Sequence, residues 1–399
     1  MMESWFWELL IGVGRLFIHP VLYVTLAVAV VLGYFRVKRE RHDFHIRVEY
    51  GLTEFQKACK SLLVGLALSV LTIGLGVVIP FGTIVLLSFF SIIFTLFIKP
   101  RWLSTAYIFG FTTLAVVLLP KLETGVTIFQ RLFESVEATH LPTLAILMGI
   151  LMVAEGLFVW KQAPVQTSPQ LQKSKRGLPV GTHVVQRVWI LPLFLFVPVG
   201  SGGIETSFEW WPILQMGEHT LSLWLVPFSM GYYQRLKASL PLDAIPVVGR
   251  QLVLLAVVVL LTGVGSLWWE NASILAAVVA VIGREWLNYR AKTEDEKHQP
   301  IFVQRDKGLV ILGVIPDSPA EKMNLQIGEI ITKVNNIPVN SVSNFYEALQ
   351  QNRAFCKLQV VDANREARFA QTALYEGDHH ELGLLFVQVG KKWKQTEAV

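Results

Sequence analysis

Three places in the chain carry residue types that catalysis uses, and in each the spacing points away from it. His379-His380-Glu381 sets two imidazoles beside a carboxylate. A helical zinc site needs His-Glu-x-x-His, which turns both rings toward one metal. Here the second helical turn is missing, and the run reads as a polar surface turn. Gly200-Ser201-Gly202-Gly203 offers a hydroxyl, with His219 some distance on. It lacks the G-x-S-x-G elbow and any Ser/Lys arrangement, so it reads as a flexible glycine loop. Glu155 lies within an apolar run, where an ionisable group is costly and marks a partner or a pathway. It falls about one and a half turns before Trp160, which favours contact with another helix or the interface over a proton relay. No phosphate loop is present. The expectation is a non-enzyme with no catalytic residue, no metal and no cofactor.

Binding chemistry is better placed. In Leu382-Gly383-Leu384 a glycine between leucines lets backbone N–H groups converge on a terminal carboxylate. Leu385, Phe386 and Val387 continue as a strand. Val342, Tyr346 and Leu349 recur at helical spacing and face the same groove. A partner's tail would add as an extra strand between Leu384–Val389 and that helix. The expected peptide-binding set is Leu382, Gly383, Leu384, Leu385, Phe386, Val342, Tyr346 and Leu349.

The elements that position this set are legible nearby. Leu309 to Ile315 reads as a short buried strand. Ser318-Pro319 opens a brief helix, serine capping and proline at the first helical position. Asn324 suits the left-handed residue that ends it. Ile330 to Val334 is a strand, Asn335-Asn336 a hairpin turn, and Ile337-Pro338-Val339 the return. Ser343 is expected to cap a second helix over 344–351, and Phe355 to Val361 is the next strand. This pattern resembles a bacterial PDZ domain, with Asn324 in place of the usual glycine and Gly328-Glu329 in place of Gly-Asp. The peptide-binding strand comes last, so the order is expected to be circularly permuted.

Everything before this domain reads as membrane. The chain has 399 residues, of which 53% are hydrophobic and 16% charged, with net charge +5. Soluble domains hold about 45–50% and 25%. Nine apolar segments are expected, at 19–35, 61–79, 81–98, 103–119, 142–160, 188–200, 219–234, 251–268 and 272–287. The run at 188–200 is broken by Pro192 and Pro198 and suits a bent or re-entrant piece. Residues 1–18 read as an interfacial helix, and Glu3 and Glu8 stand where a cleavable signal carries Lys or Arg. Residues 19–290 form the transmembrane domain, 291–300 a charged mobile linker, 301–390 the PDZ domain and 391–399 a basic tail. The fold class is thus an all-α polytopic transmembrane domain followed by an α+β PDZ domain.

Lys and Arg alternate between loops. Arg36, Lys38, Arg39, Arg41 and Arg47 share one, whereas 201–218 holds none. The positive-inside rule puts the basic loops and the PDZ domain in the cytoplasm, with Cys59 and Cys356 reduced. Those loops suffice to explain the positive charge, so nucleic acid is not an expected partner, while membrane lipid is. Gly74, Gly76, Gly263 and Gly265 are expected at close helix contacts. The tail, ending Thr396-Glu397-Ala398-Val399, reads either as a frayed basic segment or as a ligand for the chain's own groove.

One resemblance covers nearly the whole chain. His19-Pro20, the run Gly33-Tyr34-Phe35-Arg36-Val37-Lys38-Arg39-Glu40-Arg41, and the stretch from Ala373 through His379-His380-Glu381-Leu382-Gly383 to Val387 resemble the MinJ family of cell-division topology determinants in Gram-positive rods. The resemblance implies a non-enzymatic plasma-membrane scaffold at cell poles and the division septum, bridging proteins of the DivIVA and MinD type in septum placement by the Min system. Self-association stays open. The alternative is a regulator or inactive relative of PDZ-bearing membrane proteases.

Overall fold

In the computed structural model the described residues are 2–46, 48, 52–121, 127–174, 176–199, 204, 211–214, 220–352, 355–362, 365–373 and 382–387. The elements run α1 (Met2–Ile18), α2 (Pro20–Phe44), α3 (Thr53–Leu75), α4 (Phe81–Leu96), α5 (Thr105–Leu118), α6 (Thr127–Glu137) and α7 (Leu141–Lys161). Three strands follow, β1 (Ser168–Lys173), β2 (Pro179–Val199) and β3 (Thr220–Leu236), then α8 (Pro241–Gly265) and α9 (Ala272–Lys297). The C-terminal domain comprises β4 (Leu309–Val310), β5 (Gly313–Val314), α10 (Pro319–Lys322), β6 (Ile330–Val334), β7 (Ile337–Pro338), α11 (Val342–Gln350), β8 (Phe355–Val361), β9 (Ala367–Ala373) and β10 (Leu384–Leu385).

A largely helical region with apolar helices therefore precedes a β-rich domain, as the sequence pattern predicts. Among the described residues, α2, α3, α7 and α8 are long and apolar enough to cross a membrane, and α4 and α5 are shorter apolar helices. Two of the nine expected segments differ. Of the segments expected at 188–200 and 219–234, the described residues 188–199 and 220–234 are not helical but lie in β2 and β3, an antiparallel pair in register from His183↔Leu236 to Val199↔Thr220. A strand buried on both faces is apolar at every position, so hydropathy does not separate it from a buried helix. The antiparallel pair brings the chain back to the end from which β2 starts.

A hairpin among apolar helices must have its edge groups paired, because no water reaches them. On the β2 edge, α3 supplies the partners. Ser61 Oγ accepts from Ile190 N at 2.8 Å and donates to Ile190 O at 2.9 Å. Ser69 Oγ accepts from Phe194 N at 3.0 Å, and Thr72 Oγ1 donates to Phe194 O at 2.7 Å. The segment after α3 completes the edge: Phe196 N donates to Val77 O at 2.9 Å, and Ile79 N to Phe196 O at 2.8 Å. Pro192 sits on this same edge, between Ile190 and Phe194, where its missing N–H needs no partner. Its cross-strand mate is Pro227. Helix and strand lie so close that a Cβ on Gly65 would stand 2.5 Å from Pro192 Cδ. On the β3 edge, α1 plays the matching part. Glu8 Oε2 accepts from Leu223 N at 3.1 Å, and Arg15 donates to Leu223 O at 2.9 Å.

Small residues and the buried pair of Glu155 with Arg284 hold helices around the hairpin together. In the α7–α8 contact, Gly149 lies against Leu260 and Gly156 against Val253. Gly263 also sits at this contact, against Ala145, whereas Gly74 and Gly265 face open space and Gly76 ends α3 at φ +65°. Glu155 is fully buried and lies 3.4 Å from Arg284 of α9. It also accepts from Thr105 N at 2.8 Å at the start of α5. It is tied to another helix, as its position in the sequence favours.

Residues 291–297, expected within a mobile linker, are the last turns of α9. Spaced pairs hold them helical, Lys292 with Glu296 and Glu294 with Lys297. Asp295 is buried and accepts from Lys237 N at 2.8 Å and Ala238 N at 3.1 Å, closing the end of β3 onto α9.

Ser69→Ala leaves the Phe194 N–H unpaired in an apolar setting, at a cost of about 1–3 kcal/mol. The purified protein is expected to melt several degrees lower than wild type. Leu66→Ala, a change at an exposed position of the same helix, is expected to leave the melting temperature nearly unchanged.

Candidate peptide-binding site

The C-terminal domain packs around Phe345, Ile331, Val334, Leu358 and Val360. Its sheet runs β4-β6-β8-β9, with β7 off β6, and β10 pairs separately with β5. The expected strand over 309–315 is thus two short strands that serve two sheets. The Asn335-Asn336 turn has both residues at positive φ, 50° and 69°, and Asn324 lies at 54°. Ser318 caps α10, its Oγ accepting from Glu321 N at 3.4 Å. Glu329, where the pattern favours Asp, reaches far enough to grip Arg368 of β9 with both oxygens, at 2.9 and 2.8 Å. The second helix is capped by Ser341 rather than Ser343, with Asn344 N donating to its Oγ at 3.2 Å. Ser341 has the extended backbone that a cap needs, and α11 starts two residues early.

The structure brings the expected set together around β10 and α11. Leu384 pairs with Val314 and Leu385 with Gly313. Ile315 N donates to Gly383 O at 2.8 Å, and Ala320 N to Leu382 O at 3.0 Å. Leu382, Leu384 and Phe386 point into the domain core, where Phe386 meets Phe345 at 5.2 Å between ring centroids. Leu385 and Val387 face the other way. The side chains of this strand are therefore occupied, and its backbone edge is what remains to offer. Among the described residues, no strand pairs with β10 on the side away from β5.

On α11 the buried face is Phe345, Ala348 and Leu349. Leu349 belongs to the core, while Val342 and Tyr346 are half-buried at its rim. Phe345 was missed in the sequence, although its i, i+3, i+4 spacing with Ala348 and Leu349 marks the core face. Gly383 lies at φ +84°, and a Cβ there would collide with Ser318. Glycine is required, but the neighbour that demands it is the cap of α10. Gly383→Glu is consequently a poor test of a groove, because it disturbs the fold itself. Burial pushes the Cys356 thiol up to about 12, which keeps it from acting as a nucleophile near neutrality. His379, His380 and Glu381 lie outside the described residues, as do Ser201 to Gly203, His219 and the tail 391–399.

The back of β10 is fastened to the membrane-type domain. Leu385 and Val387 share a small core with Phe302, Leu312, Leu171 and Val48. Gly181 of β2 donates its N–H to Phe302 O at 2.8 Å. His183 lies 2.9 Å from Leu312 O through Nε2 and 2.8 Å from Thr167 Oγ1 through Nδ1. Beside this joint, Glu54 of α3 joins Arg36 of α2 at 2.6 Å to Arg187 of β2 at 2.9 Å.

A PDZ domain model matches residues 310–361. The cell division topological determinant MinJ of Bacillus subtilis (strain 168) is 39% identical over 406 residues, covering 100% of this chain and 99% of that protein. The chain belongs to the MinJ family. Relatives named as probable cell division topological determinants MinJ, from Lacticaseibacillus paracasei and Lacticaseibacillus casei (strain BD-II), are each 25% identical over 258 residues, or 62% of this chain and 66% of theirs. The resemblance in the sequence thus holds for the family, for the PDZ domain and for a cell-division protein with membrane-type helices. The curated relative is named as a cell division topological determinant.

Gly383→Ala forces a side chain into Ser318 at a positive φ, a combination worth about 2–4 kcal/mol. The C-terminal domain of the full-length variant is expected to be cut by protease several-fold faster than wild type. Equal cleavage rates would show that the β10–α10 contact does not bear on the domain's stability.

Proposed function

We propose that this protein is a membrane-anchored adaptor that positions cell-division regulators at poles and septum, bridging a DivIVA-type scaffold to a MinD-type inhibitor, with its PDZ domain in the cytoplasm. The observation that carries the reading is the full-length match to the curated MinJ relative. The open edge of β10 beside α11 supports peptide capture, in which a partner's tail pairs with the β10 backbone and rests on Val342 and Tyr346. The division of the basic residues supports the orientation. A fluorescent fusion is expected to gather at septa and poles. Deleting the gene is expected to scatter the division inhibitor from those places, and unchanged placement would overturn the adaptor reading.

Two further measurements test its parts. An alkaline phosphatase fusion inserted within 201–218 should be active and one after Val399 inactive; the reverse would invert the orientation. Tyr346→Ala removes a rim side chain while Phe345 still fills the core. It is expected to weaken retention of a division partner about tenfold, equivalent to 1.4 kcal/mol, with the domain still folded. Full retention would move the contact away from this groove.

A further inference from the structure

At the end of the bundle that carries the PDZ domain, β3, the turn after α4 and the last turns of α9 enclose a cavity of about 440 Å³. Arg101, Tyr233, Arg235, Lys237, Asn288 and Lys292 line it, with Asp295 and Glu296 among the remaining walls. Most of these charges are committed. Arg101 is paired with Glu285, and Lys292 lies 3.9 Å from Glu296. Asp295 turns both oxygens to the backbone N–H groups of Lys237 and Ala238. Two cations are left over. Arg235 has a 3.3 Å hydrogen bond to the Tyr233 hydroxyl, and its Nε is buried without a partner. Lys237 has no carboxylate within 4.0 Å among the described residues, although its backbone is fixed on both sides, by Asp295 and by Ile301 N at 3.1 Å. A guanidinium and an ammonium lining one polar hollow, with a phenol beside them, are donors that a phosphate group takes.

The position selects the source of that phosphate. Trp102 and Trp286 mark the belt level, and Arg101 and Arg290 lie over their rings at 5.9 and 5.4 Å. Trp286 is 55% exposed. Val248 of α8 forms part of the cavity wall. From there the outward side of α8 offers exposed Val247, Leu254, Val258 and Leu261, an apolar track suited to acyl chains. We propose that the cavity binds the phosphate headgroup of an anionic phospholipid, with Arg235 and Lys237 as its ligands and its chains lying along α8. The site is separate from the peptide groove and does not depend on the adaptor reading.

The test uses the full-length protein in nanodiscs of phosphatidylcholine alone or with phosphatidylglycerol at fixed ionic strength. Wild type is expected to melt about 5 °C higher with phosphatidylglycerol. Lys237→Gln removes a side chain without a structural partner, so it should fold and melt as wild type in phosphatidylcholine, yet lose most of that rise. Arg235→Gln should likewise lose most of the rise, measured from its own melting temperature in phosphatidylcholine, and native mass spectrometry of both variants should show fewer retained phosphatidylglycerol molecules. Arg290→Gln, at the same belt but outside the cavity, should keep the full rise. An undiminished rise in Lys237→Gln, or an equal loss in Arg290→Gln, would reduce the effect to diffuse attraction and overturn the site. A rise produced by inorganic phosphate in detergent, with none from phosphatidylglycerol, would overturn the lipid as its source.

Discussion

Every N–H and C=O on the edges of the β2–β3 hairpin must find a partner away from water, and the arrangement around it follows from that requirement. An unpaired group there costs several kcal/mol. Ser61, Ser69 and Thr72 recur along one face of α3 because they answer Ile190 and Phe194 on the strand beside them. Glu8 and Arg15 place α1 against the opposite edge. The bare backbone of Gly65 lets α3 come near enough for short hydroxyls to reach. Pro192 and Pro227 face each other across the pair, at positions where a donor would have been a liability. Moving either flanking helix would expose a row of polar groups to an apolar environment. These two helices are therefore set by the hairpin, and the other helices pack around the result.

Much of this was legible, though under another description. The apolar segments were readable because hydropathy ignores secondary structure. The nature of two segments was not, because a strand buried on both faces loses its alternation. Pro192 and Pro198 were the available clue, being far better tolerated on a strand edge than within a helix. In the C-terminal domain, local chemistry was decisive where backbone geometry leaves few choices: the two asparagines at positive φ, the Ser-Pro cap, the left-handed Asn324. It misled where two residues qualified equally. Ser341 and Ser343 both cap well in principle, and only the path of the preceding chain selects between them. Gly383 illustrates a subtler limit. The need for glycine was visible, but its neighbour Ser318 lies 65 residues away in sequence and no local pattern announces it.

The charged residues between α2 and β2 form a buried network. Arg36, Glu40, Glu54 and Arg187 are buried, and Glu40 accepts from Ser168 Oγ at 2.9 Å and Val48 N at 3.1 Å. Such a network is a poor source of net stability but a strict one of geometry, since removing any member strands the others. It sets β1 and the turn after α2 in place, and these provide Leu171 and Val48 to the contact behind β10. Family members that keep the scaffold are thus expected to change these residues together.

The length of β2 has a mechanical consequence. At about 3.3 Å per residue its 21 residues extend for roughly 70 Å, more than twice the thickness of a bilayer's hydrocarbon layer. Its N-terminal end is the part clamped to Phe302 and Leu312. The PDZ domain is therefore mounted on a stiff post instead of swinging from a tether. A tethered module searches a hemisphere and shares its local concentration among all orientations. A mounted one holds α11 and the open edge of β10 at one height and one angle to the helices beneath it.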